Sequence, residues 1–228
     1  LLELAASRGV DRIFVHVITD GRDTLTQAGA GFVKSLEDKF QSLGVGKIAS
    51  ISGRNWTMDR NQNWDRVEKG YDAILGVASQ KAKNAEEVIA QAYKSQISDE
   101  FIESHTIVDE SGNPVGLLQD GDSLIFFNFR EDRARQITAA LSQPDFYGFK
   151  RKKIVQNVEF VTMTEYEPLL PVKVAFLPQK IELSLSRILS ENNKIQFHIA
   201  ETEKYAHVTY FFNGGVEEIG RASCRERV

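Results

Sequence analysis

A single cysteine in 228 residues, Cys224, leaves neither a disulfide framework nor a cysteine metal site to organise a fold. Histidine is almost as scarce, at four, and neither His105 nor His198 has a metal-ligand partner at useful spacing. No apolar run approaches the roughly 20 residues that a membrane-spanning helix needs. Basic residues are not in excess. Lys and Arg number 28 against 32 Asp and Glu, a formal charge of −4 that argues against a nucleic-acid surface while permitting local arginine clusters. No serine or cysteine sits in a triad or nucleophile-elbow setting, and "FFNGG" (211–215) is too short of glycine for a phosphate loop. What remains is of ordinary globular composition, 42% hydrophobic and 26% charged, and long enough for one large α/β domain or two small ones.

Along the chain, strand and helix patterns alternate. "RIFVHVIT" (12–19) predicts a strand, and "QAGAGFVKSLEDKFQSLG" a helix capped by Gly44. "KIASIS" (47–52) predicts a second strand, "NWDRVEKGYDAILG" and "NAEEVIAQAYKSQ" two amphipathic helices, and "HTIVDESGNPVG" a short hairpin. The apolar run 124–129 reads as a buried strand leading into a helix over "EDRARQITAALSQP". "VEFVTMT" and "IQFHIAE" read as further strands, with the helix "KIELSLSRILSENN" before the last. Such alternation implies an α/β fold, a largely parallel sheet with helices on both faces. "EPLLPVKVAFLPQK" (167–180), with three of the chain's five prolines, breaks the rhythm as an edge strand or an interdomain hinge. The opening "LLELAASRGV" reads as entering in mid-helix. The basic "IGRASCRERV" (219–228) reads as a non-native tail, similar to an in-frame sequencing adapter, so the chain is expected to be a fragment.

Polar groups succeed the predicted strands in a pattern. The first strand ends in "DGRDT", giving Asp20, Arg22 and Asp23; the second in "GRNWTMDR", giving Arg54 and Arg60. "NFREDR" gives Arg130 and Arg133, and "AETEKYAH" gives Lys204 and His207. If these strands run parallel, their C-terminal ends face one crevice holding five arginines and a lysine. Arginine forks grip carboxylate and phosphate oxygens in pairs, so the constellation suits a small, multiply charged anion. Asp23, a carboxylate among cations, suits a substrate hydroxyl that it would orient or deprotonate. For each group the plain alternative is local neutralisation: Asp20 and Asp23 pairing with Arg22, or Arg130 and Arg133 pairing with Asp120, Asp122, Glu131 or Asp132 on a solvated surface. His16 reads as a satisfied core histidine, and Trp56 and Trp64 as covers of the core.

The segments "VHVITDGRDT", "SGRNWTMDRNQNWDRV", "DGDSLIFFNFREDRARQI", "EFVTMTEYE" and "ETEKYAHVTYFFNGGVEE" resemble, in order, motifs of the cofactor-independent (2,3-bisphosphoglycerate-independent) phosphoglycerate mutases of the alkaline phosphatase superfamily. The resemblance implies an isomerase that interconverts 3-phosphoglycerate and 2-phosphoglycerate in glycolysis and gluconeogenesis through a phosphoserine intermediate. It implies a cytoplasmic monomer whose partner is a small molecule rather than nucleic acid or membrane. It further implies 1–172 as a phosphotransferase domain, 173–180 as a hinge and 181–218 as the start of a phosphatase domain. By the same resemblance Arg22, Asp23, Arg54, Arg60, Arg130, Arg133 and Lys204 bind substrate, Asp23 acting as acid/base. Two Mn2+ or similar ions would serve the intact enzyme, with no 2,3-bisphosphoglycerate. The nucleophilic serine, the "GGVHSH" histidine motif and the metal ligands have no counterpart here, so the fragment alone is expected to be inactive. Two alternatives stay open: a non-catalytic anion-binding module, and another metal-dependent phosphomutase of the same superfamily.

Overall fold

A computed structural model describes residues 1–179 and 181–215. The chain divides into two compact units, Leu1–Phe176 and Leu177–Val228.

The first unit holds two sheets. After helix α1 (Leu2–Ser7), strands β1 (Phe14–Thr19), β2 (Lys47–Gly53), β3 (Lys81–Ala82) and β4 (His105–Ile107) form a four-stranded sheet in the order β1-β2-β4-β3. Strands β5 (Ser123–Phe126), β6 (Glu159–Thr162) and β7 (Lys173–Val174) form a second, wholly parallel one. The α/β reading is borne out, with a correction: the strands are divided between two sheets, and β4 runs antiparallel to β2. The "VKV" part of the proline-rich stretch is the edge strand β7.

Helix α2 (Gly29–Leu43) buries Val33 and Phe40, spaced two turns apart, and ends at Gly44 in the left-handed conformation, φ 68°. Helix α5 (Ala85–Lys94) buries Ala85, Val88 and Ile89, and its first turn is capped by Asn84, whose side chain accepts the Glu87 N–H at 2.7 Å. Both helices pack with Ile48 and Ile51 of β2, which reach one core although three residues apart. A register shift opposite Val15/His16 lets them do so, adding the extra residue that turns Ile51 back to the face of Ile48. Each such buried isoleucine contributes about 1.5–3 kcal/mol.

A hydroxyl-lined cluster joins β1, β2 and the short helix α3 (Arg54–Thr57). Ser52 Oγ meets Ser104 Oγ at 2.7 Å and accepts from Thr57 Oγ1 at 2.8 Å, while His16 Nδ1 lies 2.8 Å from Ser50 Oγ. Burial pushes His16 down to about 4, so its ring is neutral, in keeping with the expected satisfied histidine. Helix α4 (Trp64–Ile74) lies close to this cluster: a Cβ at Gly70 would come within 2.5 Å of Thr57 Oγ1. Its other contacts make a second core. Val67, Tyr71 and Ile74 meet Ile137 and Ala140 of α6 (Arg135–Ser142), with Leu124 and Phe126 of β5 packed against them.

Three expectations are corrected here. The run 124–129 is not buried throughout: Leu124 and Phe126 turn inward, while Ile125, Phe127 and Phe129 are exposed, as alternation along a strand requires. Helix α6 starts at Arg135, leaving Arg130 and Arg133 in the loop before it. "IQFHIAE" is not a strand. In the second unit, helix α7 (Leu185–Glu191), capped by Ser184, is followed by a stretch without regular structure in which Ile195, Phe197 and Ile199 are all exposed. The tail 219–228, including Cys224, lies outside the described residues.

Candidate functional site

Parallel pairing of β1 and β2 sets Thr19 opposite Gly53, so the residues after the two strands emerge side by side. These are Asp20 and Arg54. Arg54 Nη1 donates to Asp20 Oδ1 at 2.5 Å and to Asp23 Oδ2 at 2.8 Å, and the guanidinium is only 13% exposed. Its Nε is buried without a hydrogen-bond partner. The turn between Asp20 and Asp23 needs glycine. Gly21 has φ +65°, and a Cβ there would stand 2.7 Å from the Glu100 nitrogen; one at Gly53 would stand 2.3 Å from the Glu100 oxygen. Both loops are thus pressed onto the 3-10 turn Asp99–Phe101. That turn is anchored by buried Asp99, which accepts the Gly29 N–H at 2.7 Å and the Tyr93 hydroxyl at 2.6 Å. The next residue, Glu100, faces Arg22 at 3.5 Å.

A second group of arginines arrives from two other loops. Buried Asp59 accepts the N–H groups of Asn61 (2.8 Å) and Asn63 (3.0 Å) and the Asn63 amide (2.9 Å), folding "DRNQN" into a tight turn that presents Arg60 outward. Arg60 Nη1 donates to Asp132 Oδ2 at 2.7 Å. Arg130 approaches the same carboxylate through Nε, 2.9 Å from Oδ1, and Nη2, 3.2 Å from Oδ2. Arg133 Nη1 donates to the Met58 carbonyl at 3.1 Å. Tyr166 fixes the loop from below, its hydroxyl donating to the carbonyls of Phe126 and Asn128; burial pushes that hydroxyl up to about 12.

Every arginine of the cluster but one leans on a carboxylate. Burial alone would lower the Arg54 guanidinium, and its bonds to Asp23 and Asp20 more than reverse that. Burial likewise pushes Asp20 and Asp132 up, yet Arg54 in one case, and Arg60 with Arg130 in the other, hold both below the usual carboxylate range. Arg133 is the exception. It has no ion pair among the described residues; burial first, then repulsion from Arg54, Arg60 and Arg22, pulls it below the ordinary arginine value. Arg54, Arg60 and Arg22 are thus near enough to Arg133 to oppose its charge, and Asp132 offsets them only in part.

The structure therefore brings Arg22, Asp23, Arg54, Arg60, Arg130 and Arg133 together. Lys204 belongs to the second unit, on the 3-10 turn Thr202–Lys204, and is exposed. Local neutralisation is as expected at Arg130, which pairs with Asp132, and takes a different form at the first loop, where Asp20 and Asp23 hold Arg54 while Arg22 faces Glu100. Glu100 was invisible to sequence reasoning, since only the close approach of Gly21 and Gly53 brings it in. Asp59 had a signal, the Asp-x-Asn spacing of a side-chain-closed turn. Among the described residues no group of three or more His, Cys, Asp or Glu is placed to hold a metal ion, so the Mn2+ chemistry implied by the resemblance finds no ligand set here. No helix among them is long and apolar enough to cross a membrane.

Comparison with known proteins points the same way. The family model described as "BPG-independent PGAM N-terminus" matches residues 1–168. The chain is 47% identical over 228 residues to the 2,3-bisphosphoglycerate-independent phosphoglycerate mutase of Rippkaea orientalis, covering all of this chain and 42% of that one. It is 48% identical over 219 residues to the corresponding protein of Thermomicrobium roseum, again spanning 42% of it. A crystal structure of Leishmania mexicana phosphoglycerate mutase at low cobalt concentration superposes with a TM-score of 0.78 at 30% identity, over 94% of this chain and 41% of that one. The chain thus spans about two fifths of the length of the relatives it matches.

Proposed function

The chain belongs to the family of BPG-independent phosphoglycerate mutase N-termini, and from that premise we propose that it supplies the substrate clamp of such a mutase. The intact enzyme would interconvert 3-phosphoglycerate and 2-phosphoglycerate in the cytoplasm, without 2,3-bisphosphoglycerate. In this reading residues 1–172 are the phosphotransferase domain, 173–180 a hinge and 181–218 the start of the phosphatase domain, with Lys204 on the phosphatase side. One observation carries the reading: Arg54 is held by Asp20 and Asp23 (2.8 Å), Arg60 and Arg130 share the Asp132 carboxylate, and Arg133 feels the charges of Arg22, Arg54 and Arg60, which groups five arginines from the loops after β1, β2 and β5 beside Asp23.

The chemistry assigned to these residues comes from their types. Glycerate has a carboxylate and two hydroxyls, and the phosphorylated forms add a dianion. Arginine forks match both anions bidentately, and a carboxylate is the group suited to take a proton from a hydroxyl. The clamp would keep glycerate bound while the phosphoryl group rests on a serine elsewhere in the enzyme, then let the other hydroxyl present itself. Asp23 would deprotonate that hydroxyl through the oxygen it does not commit to Arg54. Divalent ions, where the intact enzyme holds them, would activate the serine and polarise the phosphoryl group; their ligands lie outside this site. Holding glycerate against escape and against water matters, because transfer to water would yield a phosphatase.

Assaying the full-length protein for 3-phosphoglycerate to 2-phosphoglycerate conversion, with and without added bisphosphoglycerate, tests the reading. Turnover independent of bisphosphoglycerate is expected, and none from the purified 228-residue chain. Activity in the isolated chain, or none in the full-length protein, would sink it.

A further inference from the structure

Asp132 occupies a position that the clamp reading leaves unused. It shares Oδ2 between Arg60, 72 residues away at 2.7 Å, and Arg130, whose Nε sits 2.9 Å from its other oxygen. Its side chain is 26% exposed, less than either partner's. The loop after α3 and the loop after β5 meet through one further polar contact, Arg133 to the Met58 carbonyl. Arg60 and Arg130 carry like charges and would otherwise part. A carboxylate oxygen shared by both guanidiniums cancels that repulsion, accepting from Arg60 Nη1 and Arg130 Nη2, while its other oxygen lies against Arg130 Nε as an ion pair without a hydrogen bond.

Resting on the clamp reading, we propose that Asp132 is a positioning residue of the transfer reaction: it pins the Arg60 and Arg130 forks into one fixed pair, so that they act as a single receptor for one anionic group of the substrate. Asp132 does not bind the anion itself, being of the same sign. Its presence weakens attraction for substrate and improves geometry, so the two effects of removing it have opposite signs. A neutral group at 132 leaves the site more positive and captures the anion at least as well. The freed forks then hold it in many poses, and misplacement of about 1 Å costs on the order of 100-fold in rate.

The experiment compares wild type, Asp132→Asn and Asp132→Glu in the full-length protein, with 3-phosphoglycerate as substrate. Expected for Asp132→Asn is a kcat lowered about 10- to 100-fold with KM unchanged or lower; Asp132→Glu, which keeps the charge, recovers most of kcat. A merely structural role would raise KM and would not be rescued by charge. Unchanged kinetics in Asp132→Asn, or a raised KM at unchanged kcat, overturns the pin and leaves the clamp reading standing. A wild-type protein without turnover removes both. If Asp132→Asn fails to fold, the cycle of Arg60→Lys, Asp132→Glu and the double variant decides. Non-additivity of about 5-fold or more in kcat supports the pin, and additive effects overturn it.

Discussion

The two halves of the cation cluster are held by different means. Arg54, at the end of β2, is 13% exposed and fixed by two carboxylates that the strand register itself delivers. Arg130, on the loop before α6, is 72% exposed and leans on a carboxylate two residues along. The first half is preorganised by the sheet: any conformation that keeps β1 paired with β2 keeps Asp20 beside Arg54. The second half is preorganised by side chains, Asp132 above and Tyr166 below. A site built this way has one wall fixed by backbone pairing and one fixed by a shared carboxylate, so the second depends on single side chains in a way the first does not.

Three results would break or sharpen that contrast. The largest effect is expected for Arg54→Ala, which leaves half-buried Asp20 and exposed Asp23 facing each other without a counter-charge. Steady-state kinetics of the full-length protein should show kcat/KM lowered at least about 100-fold. Arg130→Lys keeps the charge and loses the planar fork, so the same assay should show about a 10-fold loss. Losses of equal size at both positions would erase the distinction between the walls. The smallest effect concerns the strand behind the first wall. His16 is held neutral in the fold, its value pushed from 6.5 down to about 4. The unfolded chain takes up that proton first, so this contribution to stability is whole above pH 6.5 and falls away as the pH drops towards about 4. Denaturant melts from about pH 7 to about pH 5 should show the decline, and His16→Asn should flatten it.

Much of the site was legible because arginine and aspartate types at strand ends carry their own chemistry. Arg22, Asp23, Arg54, Arg60, Arg130 and Arg133 all stand shortly after an apolar run, where the end of a strand can be read directly. Of their pairings only Arg130 with Asp132 was legible; Glu100 reaches Arg22 through the contact that Gly21 and Gly53 permit, which no local pattern announces. Among the elements, α2 and α5 were clear because helices satisfy their own backbone and need only one apolar stripe. Strands are a property of pairs. "KIASIS" and "IQFHIAE" look alike in sequence, yet only the first has a neighbour on each side, β1 and β4, to complete its hydrogen bonds. The split into two sheets was likewise hidden, because pairing order is not written in the alternation of any single strand.

That unpaired stretch has a practical consequence. Ile195, Phe197 and Ile199 stand exposed at every second position, in a segment bounded by Lys194 and Glu201. An exposed apolar stripe with no strand partner among the described residues is a template on which a second molecule can add. The chain expressed by itself carries such a template at high concentration, flanked by the charges of Lys194 and Glu201. Aggregation during purification, growing steeply with concentration, would begin there, and a charge introduced at Phe197 would blunt it.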